Sequence, residues 1–237
     1  MAELPVLQPA YLLHARDYRD SSLLIELFTP EQGRVAAVAR GVKTARRGSG
    51  AQRALLQPFQ PLWIAVQGRG ELKNLRTSEP RATPLALRGR ALFSGFYVNE
   101  LVCRVVQHED AHPELFADYE TVLQDLTATT QLDIVLRKFE LRLLDALGYG
   151  VSLEVEAEAG IAIDPDDQYR FDVQRGFLRH YGRPEVTVFR GCDILDFNSG
   201  HYSAEARRAL KQVCRLALRP HLGDQPLRSR LLFAVDR

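Results

Sequence analysis

Cysteine is scarce in this sequence, and the three present, Cys103, Cys192 and Cys214, are far apart and odd in number. That argues against a disulfide framework and fits a reducing cytoplasm. No apolar run approaches the roughly 20 residues needed to span a bilayer. The opening Met1-Ala2-Glu3-Leu4-Pro5 has no basic region and no apolar stretch after it, so no secretory signal is expected. There is no Gly-x-x-x-x-Gly-Lys-[Ser/Thr] loop, which argues against a phosphate-binding NTPase. Gly68-Arg69-Gly70 is too short to be a dinucleotide fingerprint. No Cys-x-x-Cys occurs; His108 and His112 stand four apart, but Pro113 follows at once and no third ligand is evident. Neither a metal nor a cofactor is expected.

Acid is missing altogether from one window. Between Gln32 and Gly70 there is no Asp or Glu, while Arg34, Arg40, Lys43, Arg46, Arg47, Arg53 and Arg69 supply seven cations. The formal net charge of +1 therefore averages two unlike halves. Residues 1–90 carry fourteen Lys and Arg against seven Asp and Glu, whereas the remainder carries an acidic surplus of six. Charge segregated in this way is what steering toward a polyanion requires.

The first eighty residues have strand character. Tyr11–Ala15, Ser22–Phe28, Val35–Ala39, Leu62–Val66 and Glu71–Thr77 are short β-like runs, and Pro30-Glu31-Gln32-Gly33 reads as a hairpin turn. Leu62–Val66 is apolar on both faces and reads as a central strand. Lys43 to Arg53 has no apolar period and reads as a mobile loop. Five strands with glycine-marked turns fit a small closed Greek-key barrel, and an SH3-like barrel or an open sheet gives much the same pattern.

After Pro84 the apolar period changes from 2 to 3.6. Leu87–Val105, a segment opened by Pro113, and Leu132–Leu147 followed by Gly148 predict three amphipathic helices packed as a bundle. Residues 151–169 lose the pattern, and Tyr169–Val173 and Phe177-Leu178 predict a hairpin. A last helix begins at Ser203 and runs to Pro220. The domains expected are 1–82 and 83–237, with an insertion at about 151–200.

Two readings compete for the basic window: a solubilising loop, or a groove that tracks phosphates and releases their counterions. Six of its seven cations are Arg, which forks onto phosphate and stacks on bases, and Lys73 lies just beyond. Tyr11, Tyr18, Phe28, Phe59 and Trp63 are candidate stacking platforms, with Phe28 and Trp63 expected mainly in the core. Glu154, Glu156, Glu158, Asp164, Asp166 and Asp167 can hold Mg²⁺ for a nuclease or form a solvated edge. In Leu136-Arg137-Lys138-Phe139-Glu140-Leu141, Arg137 and Lys138 border an apolar stripe; they are an ordinary helix border or the rim of a pocket for an acidic, aromatic-ended peptide.

The order of several segments resembles the bacterial recombination mediator family RecO. They include Ser21-Ser22-Leu23-Leu24, Gly33-Arg34-Val35, Ala39-Arg40-Gly41, Leu56-Gln57-Pro58-Phe59 and Gly68-Arg69-Gly70-Glu71-Leu72-Lys73. Tyr97-Val98-Asn99-Glu100-Leu101, Arg137-Lys138-Phe139-Glu140-Leu141, Leu147-Gly148-Tyr149-Gly150 and Pro226-Leu227-Arg228-Ser229-Arg230 continue the series. The resemblance implies an α+β protein: an N-terminal OB-fold β-barrel, then a C-terminal α-helical bundle domain with a small β-hairpin insertion. It implies a non-enzymatic DNA repair protein of the cytoplasm and nucleoid, with no catalytic residues. Such a protein binds single- and double-stranded DNA and anneals complementary strands. It also helps load RecA onto strands coated by single-strand-binding protein. The acidic, Phe-ended tail of that coating protein and RecR are the implied protein partners, and the family's tail-contacting Arg falls on Arg137, with Lys138 beside it. Some relatives carry a four-cysteine zinc site after Leu-Gly-Tyr. Residues 151–185 contain no cysteine here, so no zinc is expected. Alternatives from other classes are a Mg²⁺-dependent nuclease and a protein-interaction scaffold that binds no DNA.

Overall fold

Five strands close on themselves at the start of the chain, in a computed structural model that describes residues 6–43, 49–182 and 187–233. β1 (Gln8–Tyr18) pairs antiparallel with β2 (Ser22–Thr29), and β2 with β3 (Gly33–Ala39). β4 (Leu62–Gln67) pairs with the start of β1 and with β5 (Leu72–Pro80). A parallel β3–β5 pairing, Ala37 opposite Lys73, completes the barrel. Alternate residues Ala10, Leu12, Ile25, Leu27, Val35, Ala37, Leu62 and Ile64 fill its interior. The order β1-β2-β3-β5-β4, with a helix between β3 and β4, is that of an OB-fold and sets aside the SH3-like and open-sheet alternatives.

The stretch expected as a mobile loop holds that helix, α1 (Ser49–Leu55). Seven residues are too few to display a helical period, yet Leu55 and Leu56 pack against the barrel core and give the segment an apolar anchor. Leu62–Val66 is likewise not covered on both faces: Trp63 points outward and is 39% exposed.

The outer face of β1 and β2 is covered by α3 (Pro113–Ala128), whose Phe116 and Tyr119 meet Tyr11 and Phe28. Tyr11 and Tyr119 pack edge to face at 5.2 Å, and Phe28 and Phe116 are tilted at 5.5 Å. β1 bulges between Leu12 and His14, which leaves consecutive carbonyls outside the ladder. Asn99 of α2 (Gly89–Val105) donates to both, to Leu13 O at 3.1 Å and Leu12 O at 3.4 Å. Its own oxygen accepts from Tyr119 Oη at 2.7 Å. Gly33, at φ +57°, admits the 108–110 segment: a Cβ there would fall 1.7 Å from the carbonyl oxygen of Asp110.

Also in this unit, Glu100 and Arg104 of α2 grip the C-terminal segment. The Glu100 carboxylate accepts from the Arg228 and Ser229 N–H groups (2.9 and 2.8 Å) and from Ser229 Oγ (2.6 Å). Arg104 donates to the carbonyls of Gln225 and Pro226 and to Glu100. Burial alone would raise the Glu100 carboxyl, but the Ser229, Arg228 and Arg104 donors outweigh it and hold it below the usual range.

Two compact units result: Met1–Thr130 with Asp224–Arg237, and Gln131–Gly223. The three helices expected as one bundle divide between them: α2 and α3 belong to the barrel unit, and α4 (Leu132–Ala146) to the other. In the second unit α4 packs on α6 (Ala204–Leu218), and α6 on α5 (Gly191–Asn198). Ser203 caps α6 by accepting from Ala206 N at 3.0 Å. The expected hairpin, β6 (Gln168–Asp172) with β7 (Gly176–Arg179), gains a third strand, β8 (Val188–Arg190). Tyr169, Phe177, Phe189, Ile194, Leu210, Val213 and Cys214 form the core of this unit. Gly191 passes so close to Asp164 that a Cβ would meet its carbonyl oxygen at 1.9 Å.

Replacing Asn99 with Leu strands two carbonyls and a tyrosine hydroxyl, so urea unfolding should show a loss of about 2 kcal/mol or more. Tyr119→Phe, which strands one acceptor, should lose about 1 kcal/mol. Because the folded Glu100 carboxyl titrates low, its contribution is complete above the unfolded value of about 4.3 and disappears as pH falls through the lower folded value. Tm measured against pH should therefore fall less steeply on the acid side in Glu100→Gln than in the parent chain.

Candidate nucleic-acid interface

At one end of the barrel the β1–β2 turn, the end of β3 and the start of β5 enclose a groove of about 530 Å³. Tyr18, Arg19, Arg40, Leu72, Lys73 and Asn74 are among its lining residues. The register brings them together: Ala37 and Val38 lie beside Lys73 and Asn74, and Arg40 follows directly. Arg19 is held at φ +52°, a conformation non-glycine residues rarely adopt, with its guanidinium 5.2 Å from the Tyr18 ring centre. Leu72 is exposed at the rim.

The cations expected to bind DNA differ in what they face. Arg34 points at Glu26 (3.5 Å), which His108 also approaches (3.6 Å). Lys43 pairs with Asp17 at 2.9 Å, and Lys73 with Glu109. Arg40, Arg53 and Arg69 are exposed and, among the described residues, make no ion pair. Arg53 stands in the last turn of α1 and Arg69 between β4 and β5. Arg46 and Arg47 lie outside the described residues. Of the five candidate stacking rings only Tyr18 reaches the groove. Tyr11, Phe28 and Phe59 are interior, and Trp63, though exposed, lies farther along β4 opposite Pro9 and Glu79.

In the second unit, Arg137 and Glu140 form an ion pair on the buried side of α4, with Arg137 9% and Glu140 1% exposed. Cys214 of α6 lies against them, and burial followed by the Glu140 charge raises its thiol. Lys138 is exposed, its ammonium 5.3 Å from the Tyr202 ring centre. The acidic stretch folds itself. Glu156 accepts from the Glu158 and Ala159 N–H groups, which hold its carboxyl low, and Asp164 caps Asp166 N. Glu154 accepts from Asn198, and Asp167 pairs with Arg179. Among the described residues no three His, Cys, Asp or Glu side chains converge as metal donors. No described helix is long and apolar enough to cross a membrane.

Comparison with known proteins bears on both units. Residues 1–84 match the family described as "Recombination protein O N terminal", and residues 87–231 the family described as "Recombination protein O C terminal". The chain is 42% identical over 231 residues to the DNA repair protein RecO of Haemophilus influenzae (strain PittGG), covering 97% of this chain and 96% of that one. Over 225 residues it is 42% identical to DNA repair protein RecO of Actinobacillus pleuropneumoniae serotype 5b, covering 94% of this chain and 92% of that one. To that of Methylococcus capsulatus it is 42% identical over 229 residues, covering 96% and 93%. The chain belongs to the RecO family.

For this RecO-family chain, sequence reasoning missed Arg19, which stands upstream of the acid-free window beside Asp20. The available signal was the break at Tyr18-Arg19-Asp20 between two strands, since such turns border the ligand face of OB-folds. The burial of Arg137 was also missed: Glu140, three residues on, was the sign that it had a partner on its own helix. Arg137→Ala removes the ion-pair partner of the buried Glu140 carboxylate and should destabilise the second unit by about 3–5 kcal/mol. Arg137→Met combined with Glu140→Leu should recover most of that loss in thermal melts.

Proposed function

We propose that the chain is a DNA repair mediator that binds single- and double-stranded DNA on the barrel and anneals complementary strands. The reading rests on one observation: the barrel-end groove gathers Arg19, Arg40 and Lys73, with Arg53 and Arg69 exposed on the same domain. Such cations neutralise phosphates and release the counterions condensed on them, and annealing needs only charge neutralisation and partial ordering of two strands. No general base or metal is required for that.

The name shared by the relatives, DNA repair protein RecO, supports the same reading. We place the acidic tail of single-strand-binding protein beside α4, where Lys138 is exposed and Arg137 is fixed by Glu140. Cooperation with RecR, loading of RecA onto coated strands, and a cytoplasmic site at the nucleoid complete the proposal.

The test is fluorescence-detected annealing of complementary oligonucleotides, with and without coating protein, across a salt series. Single-strand affinity should fall steeply with salt. Arg40→Glu with Arg69→Glu should lower the logarithmic slope by about 1.4, since each phosphate no longer neutralised takes away about 0.7. Arg46→Glu with Arg47→Glu should also weaken binding clearly. A slope near zero, or shortened product in the presence of Mg²⁺, would overturn the reading.

A further inference from the structure

The most amphipathic helix of the second unit carries a feature that the barrel does not use. α6 buries Ala206, Leu210, Val213, Cys214 and Ala217, and its other face is basic. Residues 204–219 contain five Arg and Lys, Arg207 among them, against one acid, Glu205. Arg207 is taken up by Asp133 at 2.7 Å, and Arg208 pairs with Glu205. Lys211, Arg215 and Arg219 are exposed and make no ion pair among the described residues. Spaced four apart, they advance about 6 Å along the helix and about 40° around it at each step, and Arg208 lies about 60° to the other side of Lys211. The result is a continuous basic stripe.

The stripe ends at an aromatic platform. Arg219 opens a 3₁₀ turn, Arg219–His221, and the His221 ring lies 4.1 Å, centre to centre, from that of Tyr149. Tyr149 is 55% exposed. Its place is fixed by the end of α4: Gly148 takes φ +80°, and the Tyr149 N–H returns to Leu144 O at 2.8 Å. A large ring kept at the surface on a rigid cap, beside a line of cations, has the chemistry that single-stranded nucleic acid requires: cations for phosphates and a π-face for an unpaired base.

We propose that the α6 stripe, Arg208, Lys211, Arg215 and Arg219, together with Tyr149, is a second binding surface for single-stranded nucleic acid, distinct from the barrel groove. The inference builds on the nucleic-acid reading of the barrel. An acidic, aromatic-ended peptide fits less well, because the apolar side chains of α6 are turned inward and leave no socket among the cations. Two separate single-strand surfaces on one chain give annealing a physical basis, since each can hold one of the strands to be paired.

The full chain should be titrated against fluorescent oligo-dT, following anisotropy over a salt series, as parent, Lys211→Gln/Arg215→Gln/Arg219→Gln, Tyr149→Leu and Tyr149→Phe. Circular dichroism melts should confirm that each variant keeps its fold. The triple variant should bind about tenfold more weakly near physiological salt, with a logarithmic slope lower by about 2. Tyr149→Leu should lose about tenfold without a change of slope, and Tyr149→Phe should retain parent affinity. Annealing rates should fall in the same order. If the triple variant and Tyr149→Leu bind like the parent while Arg40→Glu/Arg69→Glu binds weakly, the stripe is overturned and the barrel reading stands. If all of these bind like the parent, both readings fall. If the triple variant instead loses a synthetic acidic peptide ending in Phe and keeps oligo-dT, the surface is a peptide site and the proposal is overturned.

Discussion

One polar contact in an otherwise apolar seam organises the barrel unit. The β1 bulge at Leu12-Leu13 turns two carbonyls out of the sheet, and buried carbonyls must find donors. Asn99 supplies both and is itself held by Tyr119, which is wholly buried. A single amide thereby fixes α2, α3 and β1 relative to one another. The four-ring cluster of Tyr11, Phe28, Phe116 and Tyr119 then packs around a geometry that hydrogen bonds have already defined. Apolar contacts alone tolerate sliding; this arrangement does not, because each slip leaves a polar group without water or partner.

The same logic of pairing sorts the cations. Arg34 and Lys43 of the basic window, and Lys73 just beyond it, each face a carboxylate, so part of the basic charge serves the fold as well as the surface field. Arg40, Arg53 and Arg69 project from segments whose other residues anchor them, and they carry the potential outward. Net charge is a poor guide to this division. The distribution is what matters: an acid-poor barrel face, an acidic loop folded on its own backbone N–H groups, and a basic helix face.

Much of the fold was legible because hydrophobic period is a direct record of burial. The runs at 22–28 and 35–39 and the helices from residues 89, 113, 132 and 204 stand where alternation or a 3.6-residue repeat places them. What escaped was short or non-local. α1 spans about two turns and owes its place to Leu55 and Leu56 meeting a core assembled elsewhere. β8 has three residues and exists only by pairing with β6. The division of α2 and α3 from α4 depends on which partner each apolar stripe finds, which a stripe does not encode. For the groove, the right strands and two of its cations, Arg40 and Lys73, were visible. Arg19 was not, because turn geometry rather than composition brings it there.

The grip of Glu100 and Arg104 on residues 225–229 has a consequence for how the molecule is made. The segment Asp224–Arg237 belongs with the barrel unit, so the second unit is, in the order of the chain, an insertion between two parts of the first. During synthesis the barrel and its two helices emerge early but wait for residues 225–229 before the surface of α2 is covered. The second unit emerges in between with all of its own core, and can fold before its predecessor is finished. Completion therefore runs out of sequence order: what starts first closes last, once the strand of chain beyond the second unit has left the ribosome.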